Sequence, residues 1–221
     1  EVTYGSLLQE RRRTLHAQLV GAIERLNADR LDEQIERLAH HALRGEVWEK
    51  AVAYLREAGL RAMSQAAYRE AVAHLEQALG ARHRLPETRQ TIELAIDIHL
   101  DLRDALDPLG DWARMQEHLL EAEQLARTLG EQHQVARVAT IRADHCFYTG
   151  AYDESVRFAQ EALRIARALG DRRLEVVTAK DLGLTHVAMG AFGDAAALLE
   201  RVVALEGDLR FERFGTILIP W

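Results

Sequence analysis

The sequence predicts an all-α fold: an α-solenoid of about ten antiparallel helices, paired as hairpins in a right-handed superhelix. Three observations predict it. Glycines 110, 150 and 190 lie 40 residues apart and open the same phrase, Gly-Asp-Trp at 110–112, Gly-Ala-Tyr at 150–152 and Gly-Ala-Phe at 190–192. A second phrase keeps that step, Leu129-Gly130-Glu131 returning as Leu169-Gly170-Asp171. Between the phrases apolar residues recur every three or four positions, and no stretch alternates with the period of two that a strand requires. A period of this size marks stacked units that bury their apolar faces only against their neighbours.

The elements follow in order. Leu7, Leu8, Leu15, Leu19, Val20 and Ile23 predict an amphipathic helix over 5–27 that also carries Arg11, Arg12 and Arg13. Leu31, Ile35, Leu38, Ala39 and Ala42 predict a shorter one over 31–44, stopped by Gly45 and able to pair with either neighbour. Helices over 47–64 and 67–82 precede a connector, Arg82-His83-Arg84-Leu85-Pro86. Three hairpins then follow in rhythm: 88–107 with 111–129, 132–149 with 152–169, and 172–189 with 192–206. Small residues stand where paired helices must approach closely: Ala58-Gly59 opposite Ala71, Leu75 and Ala78, and Leu182-Gly183 opposite Ala195, Leu199 and Val202. Ala143 faces Ser155, Ala159 and Ala162 in the same way, and Met115, Leu119 and Ala122 hold the equivalent sites one unit earlier. The aromatic after each turn is expected to plug the turn end.

Composition excludes several functions. The 221 residues carry a formal charge of −7, so there is no basic footprint for nucleic acid. No apolar run approaches the roughly 18 residues that span a bilayer, and no secretory signal is present. A single cysteine, Cys146, precludes an internal disulfide and fits a reducing, cytoplasmic setting. Enzyme signatures are missing as well: there is no phosphate loop, G-x-G-x-x-G, H-E-x-x-H, C-x-x-C or serine elbow. No catalytic residue, cofactor or metal is expected. His40 and His41 are adjacent and point about 100° apart on a helix, which argues against a shared ion. Cys146 reads as a buried, inert small hydrophobe, and the arginines at 11–13 and 82–84 as solvated faces. The chain opens at Glu1 without methionine and closes on the apolar Ile217-Leu218-Ile219-Pro220-Trp221, which suggests a piece of a longer protein.

The Leu-Gly pair, the glycine before an aromatic and the spaced alanines resemble the tetratricopeptide repeat (TPR) over roughly 47–207, with a unit lengthened from the family's usual 34 residues to about 40. The family's common terminal proline is missing. The longer unit with its Ala-Leu-Gly-Asp ending resembles repeats in bacterial multidomain signalling proteins. There they follow the NTPase module of class III adenylate or guanylate cyclases or of STAND-type regulators. The opening Glu1 to Leu8, with Arg11–Arg13 and Leu15-His16, is similar to the join between module and repeats. On that reading 1–30 joins an upstream domain, 31–86 forms irregular TPR-like helices, 87–207 holds three repeats, and 208–221 begins a further one.

The resemblance implies function as well. In the family the first helix of each hairpin lines a concave, partner-binding face. Here that places Asp97, Leu100 and Asp104 on one unit, Arg137, Thr140, Asp144, Phe147 and Tyr148 on the next, and Lys180 on the third. The implied role is a non-catalytic interaction and regulatory segment that takes a protein, a peptide or other domains of the same chain. The alternative is an oligomerisation module pairing Leu7-Leu8 and Ile217–Trp221 between copies; a small-molecule pocket lacks the converging polar groups it needs.

Overall fold

The structure, a computed structural model, describes the backbone of residues 2–206 and the side chains of residues 8–205. The closing 208–221 segment, the Ile217–Trp221 patch and the Leu7 side chain therefore lie outside the described residues. Within them the chain is helical: α1 (Val2–Leu26), α2 (Ile35–Arg44), α3 (Trp48–Ser64), α4 (Tyr68–Arg82), α5 (Arg89–Leu106), α6 (Trp112–Leu129), α7 (Gln132–Tyr148), α8 (Tyr152–Leu169), α9 (Arg172–Ala188) and α10 (Phe192–Glu206). No strand occurs among the described residues. The chain forms two compact units, Glu1–Leu125 and Ala126–Trp221.

One boundary departs from expectation. The helix foreseen from 31 begins only at Ile35, because Ala28–Gln34 winds as a 3-10 segment with a kink at Arg30 (φ −144°). α1 ends before Asn27, whose backbone leaves the helical range (φ −125°) and whose side-chain amide and N–H both donate to the Ile23 carbonyl. α2 packs most extensively on α3 and more lightly on α1, which settles its pairing.

The hairpin turns share one geometry. At each, the residue before the helix start donates its N–H back into the preceding helix: Val47 to Ala42, Ala67 to Ala62, Ala151 to Cys146 and Ala191 to His186 at 2.8–2.9 Å, and Asp111 to Leu106 at 3.4 Å. The residue before that sits at positive φ. Glycine supplies it at 110, 150 and 190, whereas Glu46 (φ 54°) and Ala66 (φ 58°) hold the same left-handed conformation without one. Such a conformation costs a residue with a Cβ about 1–2 kcal/mol, which the surrounding packing offsets. The first two turns are therefore repeat turns that the glycine rhythm does not reveal.

Packing follows the small-residue sites. A Cβ added at Gly59 would stand 2.7 Å from Leu75 Cγ, and one added at Gly183 3.0 Å from Leu199 Cγ. In the first unit Leu38, Val52, Leu55, Ala71, Leu75, Ile98 and Leu102 belong to one buried cluster; in the second, Ala143, Cys146, Phe158, Ala159, Val176 and Leu182 form another. α5 opens on a capping box, Thr88 accepting from the Thr91 N–H while the Thr91 hydroxyl accepts from the Thr88 N–H. The turn aromatics plug unevenly. Trp48, Tyr68 and Tyr152 are half-buried, but Trp112 and Phe192 are 44% and 66% exposed.

Candidate partner-binding surface

In the second unit α7 and α9 lie side by side, joined by a buried hydrogen bond of 2.8 Å between the hydroxyls of Thr140 and Thr178. Thr140 also donates to the Ala136 carbonyl. It thus faces the neighbouring helix and offers no surface to a partner, which corrects its place among the candidate contacts. The reason is that α7 is packed on two sides, by α8 and by α9, so its outward strip is narrower than helical spacing suggests.

That strip holds the other candidates. Tyr148 is 65% exposed, and its ring meets Phe147 edge-on at 5.2 Å. Phe147 is half-buried and reaches Tyr152 at 6.1 Å. Arg137 and Asp144 are half-buried, Arg137 donating to Gln134 at 3.3 Å. Lys180, one repeat on from Thr140, pairs with Asp181 at 3.2 Å. Beside it stand Leu184 and Val187, 44% and 43% exposed, which the sequence reading did not select. The 40-residue step was the available signal, since it carries Asp144 to Leu184 and Phe147 to Val187.

In the first unit the candidates are used internally. Arg56 of α3 bonds Asp101 at 2.6 Å and reaches Asp97 at 3.5 Å. Burial would lower the Arg56 guanidinium, but the hydrogen bond it donates to Asp101 and the charges of Asp101 and Asp97 leave it raised. Burial also lifts the Asp101 carboxyl, with Asp97 and Asp104 adding repulsion against the pull of Arg56. Arg56 is raised by its two carboxylate neighbours, and Asp101 by burial first and by carboxylate repulsion second. Asp104 is exposed and meets Arg103 at 2.9 Å. Leu100, 3% exposed, belongs to the core, so a second candidate contact is corrected.

Other singled-out groups resolve as packing. Cys146 is 4% exposed, and burial together with the Glu154 carboxylate pushes its thiol up, away from the reactive thiolate. Arg82 is buried and donates to the Thr91 carbonyl, which departs from the solvated face expected of it, while Arg84 stays exposed with its guanidinium 5.8 Å over the Trp48 ring. Arg13 pairs with Glu46 at 3.1 Å. The adjacent pair His40 and His41, expected to diverge, is joined by His16 from α1 in one group of three. No helix among the described residues is long and apolar enough to cross a membrane.

Comparison with known proteins agrees with this architecture. Residues 134–205 match the family model for the tetratricopeptide repeat. No curated protein matches the chain. Among solved structures, BtubC (BKLC) from P. vanneervenii is similar over 96% of this chain and 98% of its own, at 18% identity and a TM-score of 0.67. Aspartyl phosphate phosphatase F from Bacillus subtilis is similar over 82% of this chain at 14% identity and a TM-score of 0.63; the chain spans 45% of that protein. A Rap protein complexed with competence and sporulation factor is similar over 90% of this chain and 66% of its own, at 12% identity and a TM-score of 0.61. The chain therefore has the fold of these helical-repeat proteins and contains a tetratricopeptide-repeat region over residues 134–205.

Proposed function

We propose that this chain is a non-catalytic protein-interaction segment that takes a peptide or protein on the outward strip of α7 and α9. The observation that carries the reading is the grouping of exposed Tyr148, Leu184 and Val187 with the charged Arg137, Asp144 and Lys180. Folded chains seldom leave an aromatic and two aliphatic side chains in water on adjacent helices without a use, and aromatic anchors tend to dominate interface energy. A peptide with apolar side chains would cover the strip, and the flanking charges would set its register. The Rap protein's complex with competence and sporulation factor supports the reading, as a related fold that holds a ligand.

The finer assignment is a regulatory segment of a larger bacterial signalling protein, of the cyclase or STAND-regulator kind. Binding would act by favouring one of two arrangements of the repeats, which requires different affinities for each. The test is binding of a peptide selected on the whole chain: Tyr148→Ala weakens it at least about tenfold with helix content unchanged. Retained binding, or loss of folding with it, sinks the reading.

One observation favours a second reading, assembly through α1. Leu8, Leu15, Leu19 and Leu26 are 51%, 52%, 43% and 83% exposed, and at 100° per residue they fall within about 40° of one another. Light scattering distinguishes it: a dimer abolished by Leu15→Glu with Leu19→Glu supports assembly, and a monomer rejects it.

A further inference from the structure

His16 of α1 meets His40 and His41 of α2 although 25 residues separate His16 from His41. The ring centroids lie 5.9 Å (His16–His40), 5.0 Å (His16–His41) and 5.3 Å (His40–His41) apart. The Nδ1 atoms of His16 and His41 approach to 2.8 Å, and each ring offers one nitrogen within 4.8 Å of the other two. His16 and His41 are half-buried while His40 is exposed, so one side of the group is open to water.

The helices are held at this distance by their backbones. Gly45 sits directly on α1: a Cβ there would lie 2.6 Å from Ala17 N and 2.9 Å from Ala17 Cα. Ala17 is the residue next to His16, and His41 is one turn before Gly45, accepting its N–H at 2.8 Å. The approach that brings three imidazoles together is thus fixed by a glycine contact and not by the rings themselves. Imidazole suits borderline divalent ions, zinc foremost, at about 2.0–2.1 Å from nitrogen. A tetrahedral ion therefore needs its ligand nitrogens about 3.4 Å apart, a value between the 2.8 Å contact and the 4.8 Å limit found here.

We propose that His16, His40 and His41 form a three-histidine site for a divalent transition-metal ion, with zinc as the ion it takes and water in the fourth position. A bound ion would tie α1 to α2 at the point where Gly45 meets Ala17. It would stabilise the docked position of α1 by mass action, because only the folded chain presents the three ligands together.

The experiment uses the 221-residue chain without an affinity tag. Zinc is titrated in competition with a chromogenic chelator, and melting is followed with zinc and then with excess EDTA. The expected result is one zinc per chain, a melting temperature raised by zinc and restored by EDTA, and affinity lower by at least about tenfold in His40→Ala. His40 is exposed, so that variant keeps its fold, which circular dichroism checks; His133→Ala, outside the group, retains full affinity. Cobalt added in place of zinc gives the visible absorption of a tetrahedral nitrogen site. Failure to bind zinc at about 100 µM free ion, or binding undiminished in both His40→Ala and His16→Ala, overturns the proposal.

Discussion

Adding one methyl group at four glycines tests the packing account, because the structure predicts a change of sign across the series. Gly80 lies inside α4 with nothing within 4 Å of where its Cβ would stand, so Gly80→Ala keeps the full gain in helix propensity. That gain is about 0.8–1.0 kcal/mol. Gly183→Ala meets Leu199 at 3.0 Å, but Leu199 is only half-buried and its end can turn aside. The propensity gain and the contact then roughly cancel, to within about 0.5 kcal/mol. Gly59→Ala presses on Leu75, whose side chain is wholly buried and has no room to move. Overpacking of about 1–3 kcal/mol there outweighs the helix term and leaves a net loss near 1 kcal/mol. Gly45→Ala is the severe case, since its neighbours at 2.6 and 2.9 Å are backbone atoms of α1 and no rotamer relieves them. α1 would have to withdraw, drawing Val20 and Ile23 from the cluster that holds Leu38, at a cost of about 2–3 kcal/mol.

Thermal unfolding followed by circular dichroism measures the series. At about 2–4 °C per kcal/mol for a chain of this size, Gly80→Ala rises by roughly 3 °C and Gly45→Ala falls by roughly 6 °C or more. Repeat units can melt separately, so the first-unit glycines are compared on the first-unit transition if two appear. Equal melting of Gly45→Ala and the parent chain would refute the close approach of α1 to α2. Destabilisation by Gly80→Ala would refute the exposed placement of that face of α4.

Further predictions follow from single contacts. Ala66→Gly and Glu46→Gly each raise stability by about 1 kcal/mol by releasing a left-handed strain, whereas Gly150→Ala lowers it by a similar amount; urea midpoints measure all three. Thr140→Val leaves the buried Thr178 hydroxyl without its inter-helix partner and costs about 1–3 kcal/mol, and the Thr140→Val, Thr178→Val double variant costs less than the sum of the two singles. His99 shares a 3.1 Å ring-nitrogen hydrogen bond with His118, and burial, then the charges of His118, His83 and Arg82, holds it down at about 4 against an ordinary 6.5. The unfolded chain therefore takes up a proton that folded His99 refuses. Its share of stability is intact above pH 6.5 and is lost as the pH falls towards 4, amounting to roughly 3 kcal/mol at the lower end. His99→Gln flattens that part of the stability–pH curve, and an unchanged slope would contradict the assignment.

The sequence showed the hairpins from residue 87 onward almost to the residue because each unit repeats the physical device that makes its turn, a glycine at positive φ. The earlier turns, between the helices expected over 31–44, 47–64 and 67–82, lay off that rhythm, because Glu46 and Ala66 reach the same backbone conformation without a glycine and only helical spacing marked them. The candidate site was legible in outline. The resemblance to the tetratricopeptide repeat pointed to the face that carries Arg137, Asp144, Phe147 and Tyr148, but it could not tell that α9 presses on Thr140, nor that Leu100 turns into the core. Leu184 and Val187 were within reach of the repeat step, which carries Asp144 and Phe147 onto them. The histidine group was beyond reach, because two neighbours on one helix become a cluster only when a third arrives from another.

The central claim is that the outward strip of α7 and α9 binds a partner. Its most direct test selects peptides from a random display library on the immobilised chain, then compares their fluorescence-anisotropy isotherms on the parent, Tyr148→Ala and Leu184→Ala. The account predicts enriched peptides whose affinity falls at least about tenfold in both variants, with unchanged melting. Peptides that bind all three proteins equally would contradict it.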